Sequence, residues 1–156
     1  MSLVILPGSY DPMTLGHLKM VERALEQYDE AVVAVMVNPA KQTRFDMEAR
    51  VEIARRTVAH LPRVRVISDT GMLVDLFDRL GADAVFKGYR NQTDYDYEMK
   101  MAEWNKAHNP RFETVLCPAE EGMLEISSTR VRELLERGES LDGLVHPDAI
   151  AVMTEA

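Results

Sequence analysis

Pro7-Gly8-Ser9-Tyr10-Asp11-Pro12-Met13-Thr14-Leu15-Gly16-His17 is the stretch on which the fold turns. A short apolar run, Leu3-Val4-Ile5-Leu6, stands ahead of it, and Leu18, Val21, Leu25 and Tyr28 recur behind it at helical spacing. A strand that ends in a glycine turn and opens into a helix gathers unpaired backbone N–H groups at one point. Those donors, with the positive end of the helix dipole, favour an anion, typically phosphate. His17 falls at the helix start, where its ring can face the same anion. The stretch predicts a nucleotide site at the end of the first strand.

Outward from it, short β-branched runs alternate with helical periods. Ala31 to Val37 is continuously apolar, the pattern of a strand covered on both faces. Asp46 is placed to cap a helix running to about His60, with Val51, Ala54, Val58 and Leu61 inward. Val64 to Ile67 reads as strand, Leu73 to Leu80 as helix, and Ala84 to Phe86 as strand. A long helix is expected over Asp94 to Ala107 and a strand over Glu113 to Cys117. Ser127 or Ser128 caps the next helix, which stops near Gly138, and Pro147 suits the first turn of a last one. No repeat, low-complexity tract or Pro/Gly/Ser-rich linker interrupts this, so residues 1–156 are expected to form a single domain.

Such alternation implies an α/β, Rossmann-like, doubly wound sheet of parallel strands with helices on both faces. Fold precedent supplies the expected order of five strands, 3-2-1-4-5. Ligands then bind at the carboxyl ends where the order reverses, between the first and fourth strands. Gly8-Ser9, Gly88 and Gly122 all fall at that end, and His17 and Arg90 are brought together.

The 156 residues carry a net charge of −8 and 46 % hydrophobic content. That balance argues against duplex DNA or an anionic membrane as partner, since phosphate backbones need dense Lys/Arg surfaces. No apolar run approaches the roughly 20 residues that span a bilayer, and the N-terminus lacks a signal-peptide pattern. Cys117 is alone, which excludes a disulfide framework or cysteine metal cluster and fits a reducing cytoplasm. His60, His108 and His146 show no ligand spacing, so no protein metal site is expected. An acidic protein that binds small anions must gather its few cations in one place.

Several segments offer to do so. Thr14-Leu15-Gly16-His17 has the form (Thr or His)-x-Gly-His, with a hydroxyl and an imidazole N–H for phosphoryl oxygens; after a strand and a Gly-x-x-Asp-Pro turn this outweighs a plain histidine cap. Lys41, in Asn38-Pro39-Ala40-Lys41-Gln42, can swing an ammonium onto a phosphate, although alone it reads as a solvated loop lysine. Lys87-Gly88-Tyr89-Arg90 sets two cations around a glycine at the switch point, either a phosphate clamp or an edge charge pair. Glu98 can accept from a ribose hydroxyl or adenine amine, whereas Tyr97, Met101 and Trp104 form a stripe suited to core or subunit interface. Ile126-Ser127-Ser128-Thr129-Arg130 opens a helix whose hydroxyls and free N–H groups can hold a triphosphate, beyond simple capping.

Together, in this order and spacing, these segments resemble the bacterial phosphopantetheine adenylyltransferases of the nucleotidyltransferase superfamily. Pro7 to Pro12, Gly16-His17, Gly88-Tyr89-Arg90, Tyr97-Glu98-Met99 and Ile126-Ser127-Ser128 carry the likeness, which runs nearly end to end. The resemblance implies transfer of an adenylyl group from ATP to 4′-phosphopantetheine, giving dephospho-coenzyme A and pyrophosphate. It implies that Ser9, Lys41, Leu73 and Lys87 contact phosphopantetheine. It places Ser9, Tyr10, His17, Gly88, Tyr89, Arg90, Glu98 and Met123, Leu124, Glu125, Ile126, Ser127, Ser128 and Thr129 at ATP, with His17, Lys41 and Arg90 catalytic. It further implies a cytoplasmic homohexamer that uses Mg2+. Ser9 stands where the family usually has Thr, Lys87 where it has Arg, and Met123 and Glu125 where aromatic residues are common. The competing expectations are a related nucleotidyltransferase with another phosphate acceptor, and a nucleotide-binding protein without catalysis.

Overall fold

A computed structural model describes residues 1–155. Five strands, β1 (Leu3–Gly8), β2 (Glu30–Met36), β3 (Val64–Asp69), β4 (Ala84–Tyr89) and β5 (Thr114–Pro118), form one sheet in the order β3-β2-β1-β4-β5. Every neighbouring pair is parallel. The expected architecture and strand order are therefore the observed ones. The helices are α1 (Leu15–Gln27), α2 (Met47–Val58), α3 (Leu73–Leu80), α4 (Gln92–His108), α5 (Ser128–Arg137) and α6 (Ile150–Glu155). Short 3₁₀ turns at Glu121–Met123 and Pro147–Ala149 precede the last two, so Pro147 opens a 3₁₀ turn that leads into α6.

Strand alternation distributes the core over both faces. Val4 and Leu6 of β1, with Ala31, Val33 and Val35 of β2, pack with buried residues of α1, α2 and α5. Leu3 and Ile5, with Val32 and Ala34, face a smaller cluster built on Val74, Leu76 and Phe77 of α3 and on Phe112. This is why the central strands read as unbroken apolar runs. Local signals place the ends. The Asp46 side chain accepts from the Ala49 N–H, and that of Ser127 from the Arg130 N–H, so Ser127 and not Ser128 is the α5 cap. Gly138 closes α5 at φ 66°, a left-handed position that costs other residues energy.

Two features of the sheet position the site. The β1–β2 ladder runs from Leu3 to Gly8, but β1 meets β4 only at Val4–Ala84 and Ile5–Val85. Beyond those pairs the two strands splay, and a cleft opens at their carboxyl ends. The fourth strand also runs three residues past Phe86, to Tyr89. Lys87 consequently points to the opposite face from Phe86 and Gly88, towards α4.

Candidate active site

The cleft between β1 and β4 is a cavity of about 590 Å3. Ser9, Tyr10 and His17 line it from the β1–α1 side, and Lys41 from the β2–α2 loop. Lys87, Gly88 and Tyr89 line it from β4 and Arg90 from just beyond it, and Met123 and Ile126 to Thr129 from the approach to α5. Thus the cations of an acidic chain do converge, from segments far apart in sequence.

The β1–α1 loop is shaped by packing. Tyr10 sits at φ 47°, donates its hydroxyl to the Leu6 carbonyl at 2.8 Å, and lays its ring edge-on to His17 with centroids 4.9 Å apart. A Cβ on Gly8 would stand 3.1 Å from the Tyr10 ring, so glycine is what lets that ring fold back over β1.

His17 performs two tasks with its two nitrogens. Thr14 is the α1 cap, and its backbone N–H donates to His17 Nδ1 at 3.0 Å. An amide can only donate, so Nδ1 carries no proton and the neutral ring carries it on Nε2. His17 takes the place that Glu or Gln holds in a capping box, leaving Nε2–H available to the cavity. Burial first, and the Arg90 guanidinium second, lower its pKa to about 4. The ring is therefore a neutral hydrogen-bond donor at neutral pH.

That state makes a prediction. In an NMR titration of the ligand-free protein, the His17 ring stays neutral down to about pH 4, and Arg90→Ala raises its midpoint only part of the way to the usual 6.5 because burial is the larger cause. As pH falls from 6.5 towards 4, the unfolded chain takes up a proton that the folded one refuses. The His17 contribution to stability is complete above 6.5 and is lost through that window. A midpoint near 6.5 in the folded protein overturns the assignment.

The helix starts divide the remaining work unevenly. At α1 the Leu15 N–H goes to the Leu144 carbonyl, and the Thr14 and His17 amides are used in the capping box, leaving that of Gly16. The cluster of free amides expected there is thus mostly consumed. At α5, Ser127 Oγ caps, Ser128 Oγ donates to the Pro12 carbonyl at 2.8 Å, and Thr129 Oγ1 accepts from Arg132. The hydroxyls brace the loop, and the first-turn amides of Ser128 and Thr129 are the donors left for an anion.

The curated relatives fit this arrangement. A cytidylyltransferase-like family profile matches residues 5–134. The phosphopantetheine adenylyltransferase of Heliobacterium modesticaldum is 39 % identical over 155 residues, covering 99 % of this chain and 92 % of that one. The enzyme of the same name from Psychromonas ingrahamii is 39 % identical over 147 residues, covering 94 % and 91 %. The chain belongs to the phosphopantetheine adenylyltransferase family.

Four residues that the resemblance assigned to the family's ligands lie away from the cavity lining. Leu73 opens α3 and packs against the smaller core cluster. Leu124 and Glu125 are exposed beyond the 3₁₀ turn. Glu98 is buried on α4, where its Oε2 and Oε1 stand 2.7 Å and 3.1 Å from Lys87 Nζ. That pairing follows from the extra length of β4, which the sequence pattern did not reveal. Arg130 likewise turns away, towards Glu133.

Other lining residues went unread. Arg132 lines the cavity and donates to the Asp11 carbonyl at 2.7 Å; it is one turn beyond Ser128, so helical spacing alone could have found it. Lys19, one turn beyond Gly16, lines the cavity from α1. Asp94 accepts from the Arg90 backbone N–H at 3.2 Å, and its carboxylate lies 3.6 Å from the Arg90 side chain.

Proposed function

We propose that this protein transfers the adenylyl group of ATP to 4′-phosphopantetheine, releasing pyrophosphate and dephospho-coenzyme A. The observation that carries this is the meeting of His17, Lys41 and Arg90 on one cavity at the sheet's switch point. A phosphate oxygen of the acceptor attacks the α-phosphorus of ATP. A new P–O bond forms as the bond to the β-phosphate bridging oxygen breaks, and that electron pair leaves with pyrophosphate. The nucleophile is already an anion at neutral pH, so no general base is needed. Catalysis rests on in-line placement and on stabilising charge that grows on the α-phosphoryl oxygens.

The roles follow from the groups each residue offers. Nε2–H of neutral His17 donates to an α-phosphoryl oxygen without a proton changing hands. Lys41 orients the acceptor phosphate as a mobile point charge, with Lys87 and Ser9 beside it. Arg90 and the first-turn amides of α5 hold the outer phosphates. Tyr10, Gly88 and Tyr89 shape the nucleotide wall. Glu98 acts here through Lys87, by holding its ammonium.

Magnesium belongs to the same proposal, as the counterion carried on the phosphates of ATP. The cavity's carboxylates do not fit a protein cage: Asp11 accepts from the Arg44 and Phe45 amides, Asp94 faces Arg90, and Glu120 faces Lys19. Among the described residues no group of three or more His, Cys, Asp and Glu side chains is placed to hold a metal.

Self-association, as a homohexamer, is also proposed, together with a cytoplasmic location. No helix among the described residues is long and apolar enough to cross a membrane. α4 buries only Glu98 and Asn105, yet exposes Tyr97 by 62 % and Trp104 by 43 %. A helix that turns large aromatic side chains outward supports a subunit interface over solvent as its neighbour. Tyr97→Glu combined with Trp104→Glu is expected to reduce the particle mass in light scattering while the far-ultraviolet dichroism is unchanged. An unaltered mass argues against α4 as the interface.

The activity itself is tested by mass detection of dephospho-coenzyme A after incubation with ATP, magnesium and 4′-phosphopantetheine. Nicotinamide mononucleotide, and CTP with an alcohol phosphate, serve as competing substrates. Product from either competitor alone, or pyrophosphate release from none, overturns the proposal.

A further inference from the structure

The loop of residues 37–46 between β2 and α2 brings Lys41, Gln42 and Thr43 to the cavity. From Val37 to Arg44 its residues are exposed: a turn ties the Ala40 and Lys41 amides back to Asn38, and Arg44 reaches Glu136 of α5 at the surface, so no buried side chain of the loop itself fixes where Lys41 stands. The anchor lies at its far end. Arg50 of α2 is only 4 % exposed, and the acceptors of its guanidinium are main-chain carbonyls. Nε donates to Phe45 O at 3.1 Å, and Nη1 donates to Ser9 O at 2.9 Å and to Met36 O at 3.4 Å. Those carbonyls come from the loop's end, from the β1–α1 loop and from the last residue of β2. Asp11, 6 % exposed, ties the same segments from the other side, accepting the backbone N–H groups of Arg44 at 2.9 Å and Phe45 at 3.0 Å.

A buried charge is tolerated only while its hydrogen bonds are made, so these three segments cannot drift apart without stranding the guanidinium. We propose that Arg50 is a positioning residue for adenylyl transfer: with Asp11 it locks the Lys41 loop to the β1–α1 loop, and so sets the acceptor-side ammonium in register with His17. This rests on the assignment of Lys41 to the acceptor.

The test uses the full chain, with Arg50→Met, Arg50→Lys, Asp11→Asn and Lys41→Ala compared with the unmodified protein. Misplacing a reacting partner by about 1 Å costs about 10²-fold, so Arg50→Met is expected to lower kcat/KM for phosphopantetheine by that factor. KM for ATP is expected to change less than about threefold, because Arg50 touches no nucleotide-side group of α5. In the Lys41→Ala background Arg50→Met is expected to cost under about threefold, since the ammonium it places is gone. Arg50→Lys, which keeps a cationic donor but not the fork, is expected to recover part of the loss. Additive losses, or a rise in KM for ATP well beyond threefold, overturn the proposal.

Hydrogen exchange supplies a readout independent of turnover. Amides of residues 38–45 are expected to exchange faster in Arg50→Met and Asp11→Asn, while those of β1 and β2 keep their protection. Unchanged exchange in that loop overturns the lock. Should the unmodified protein make no dephospho-coenzyme A, the functional proposal fails, and the exchange comparison still decides the lock. Arg50→Lys and Asp11→Asn carry both measurements if Arg50→Met does not fold.

Discussion

His17→Ala is expected to lower kcat by about 10²–10³, the typical loss on removing one preorganised donor to a developing oxyanion. ATP affinity, measured by calorimetry, is expected to stay within about threefold, because Arg90 and the α5 amides grip the outer phosphates and are untouched. Two further consequences separate this role from a structural one. Loss of Nδ1 leaves the Thr14 N–H without its acceptor, so His17→Ala also destabilises the α1 start by about 1 kcal/mol. His17→Gln, the usual residue at that capping-box position, restores the acceptor through Oε1 and the stability, but offers a carboxamide N–H in place of the rigidly aimed imidazole N–H. Its turnover is expected to remain near that of His17→Ala. Turnover close to the unmodified level in either variant refutes the assignment of His17 to the α-phosphoryl charge.

Phe77→Ala is expected to cost about 3–5 kcal/mol of folding stability, the range for truncating a buried aromatic ring. Phe77 is fully buried, its ring centroid is 4.8 Å from that of Phe112, and the Arg111 guanidinium lies 5.6 Å over its face. The cluster around it holds only ten buried residues, and the short helix α3 is its cover, so little else can collapse into the void. In a chain of this length the loss corresponds to a drop in Tm on the order of 10 °C. Phe77→Leu, which keeps most of the volume, is expected to cost under half as much. Denaturant midpoints with unchanged slope measure both. A shift below about 1 kcal/mol for Phe77→Ala means that this face of the sheet contributes far less than its burial indicates.

Much of the fold was readable because local and global signals agree. The unbroken apolar runs of β1 and β2 demanded cover on both faces, and the structure supplies it. Asp46, Ser127 and Gly138 act at the helix ends where their chemistry predicts. Leu73–Leu80 is helical over the expected span. The meeting of His17 with Arg90 followed from strand order rather than from either residue alone.

The unread part concerns direction and burial. Whether Lys87 faces the nucleotide side or α4 depends on where β4 ends, and strand ends are the least determined feature of a pattern. Arg50 looks like any solvent-facing cation of a polar helix, because its acceptors are carbonyls that only the assembled chain brings together. Asp11 reads as a turn residue, and nothing in its neighbourhood announces that the amides of Arg44 and Phe45 will come to it. The α4 stripe of Tyr97, Met101 and Trp104 proves exposed, so the choice between core and interface needed the neighbours of the helix.

Because β1 and β4 part after two residue pairs, the width of the cleft is a property of the main chain and not of the side chains that clothe it. A lining residue can therefore be exchanged without the walls moving inward to fill the gap. Altered preference for a base or an acceptor is then reachable by single replacements at Tyr89, Met123 or Ile126, with the architecture that sustains the chemistry left standing.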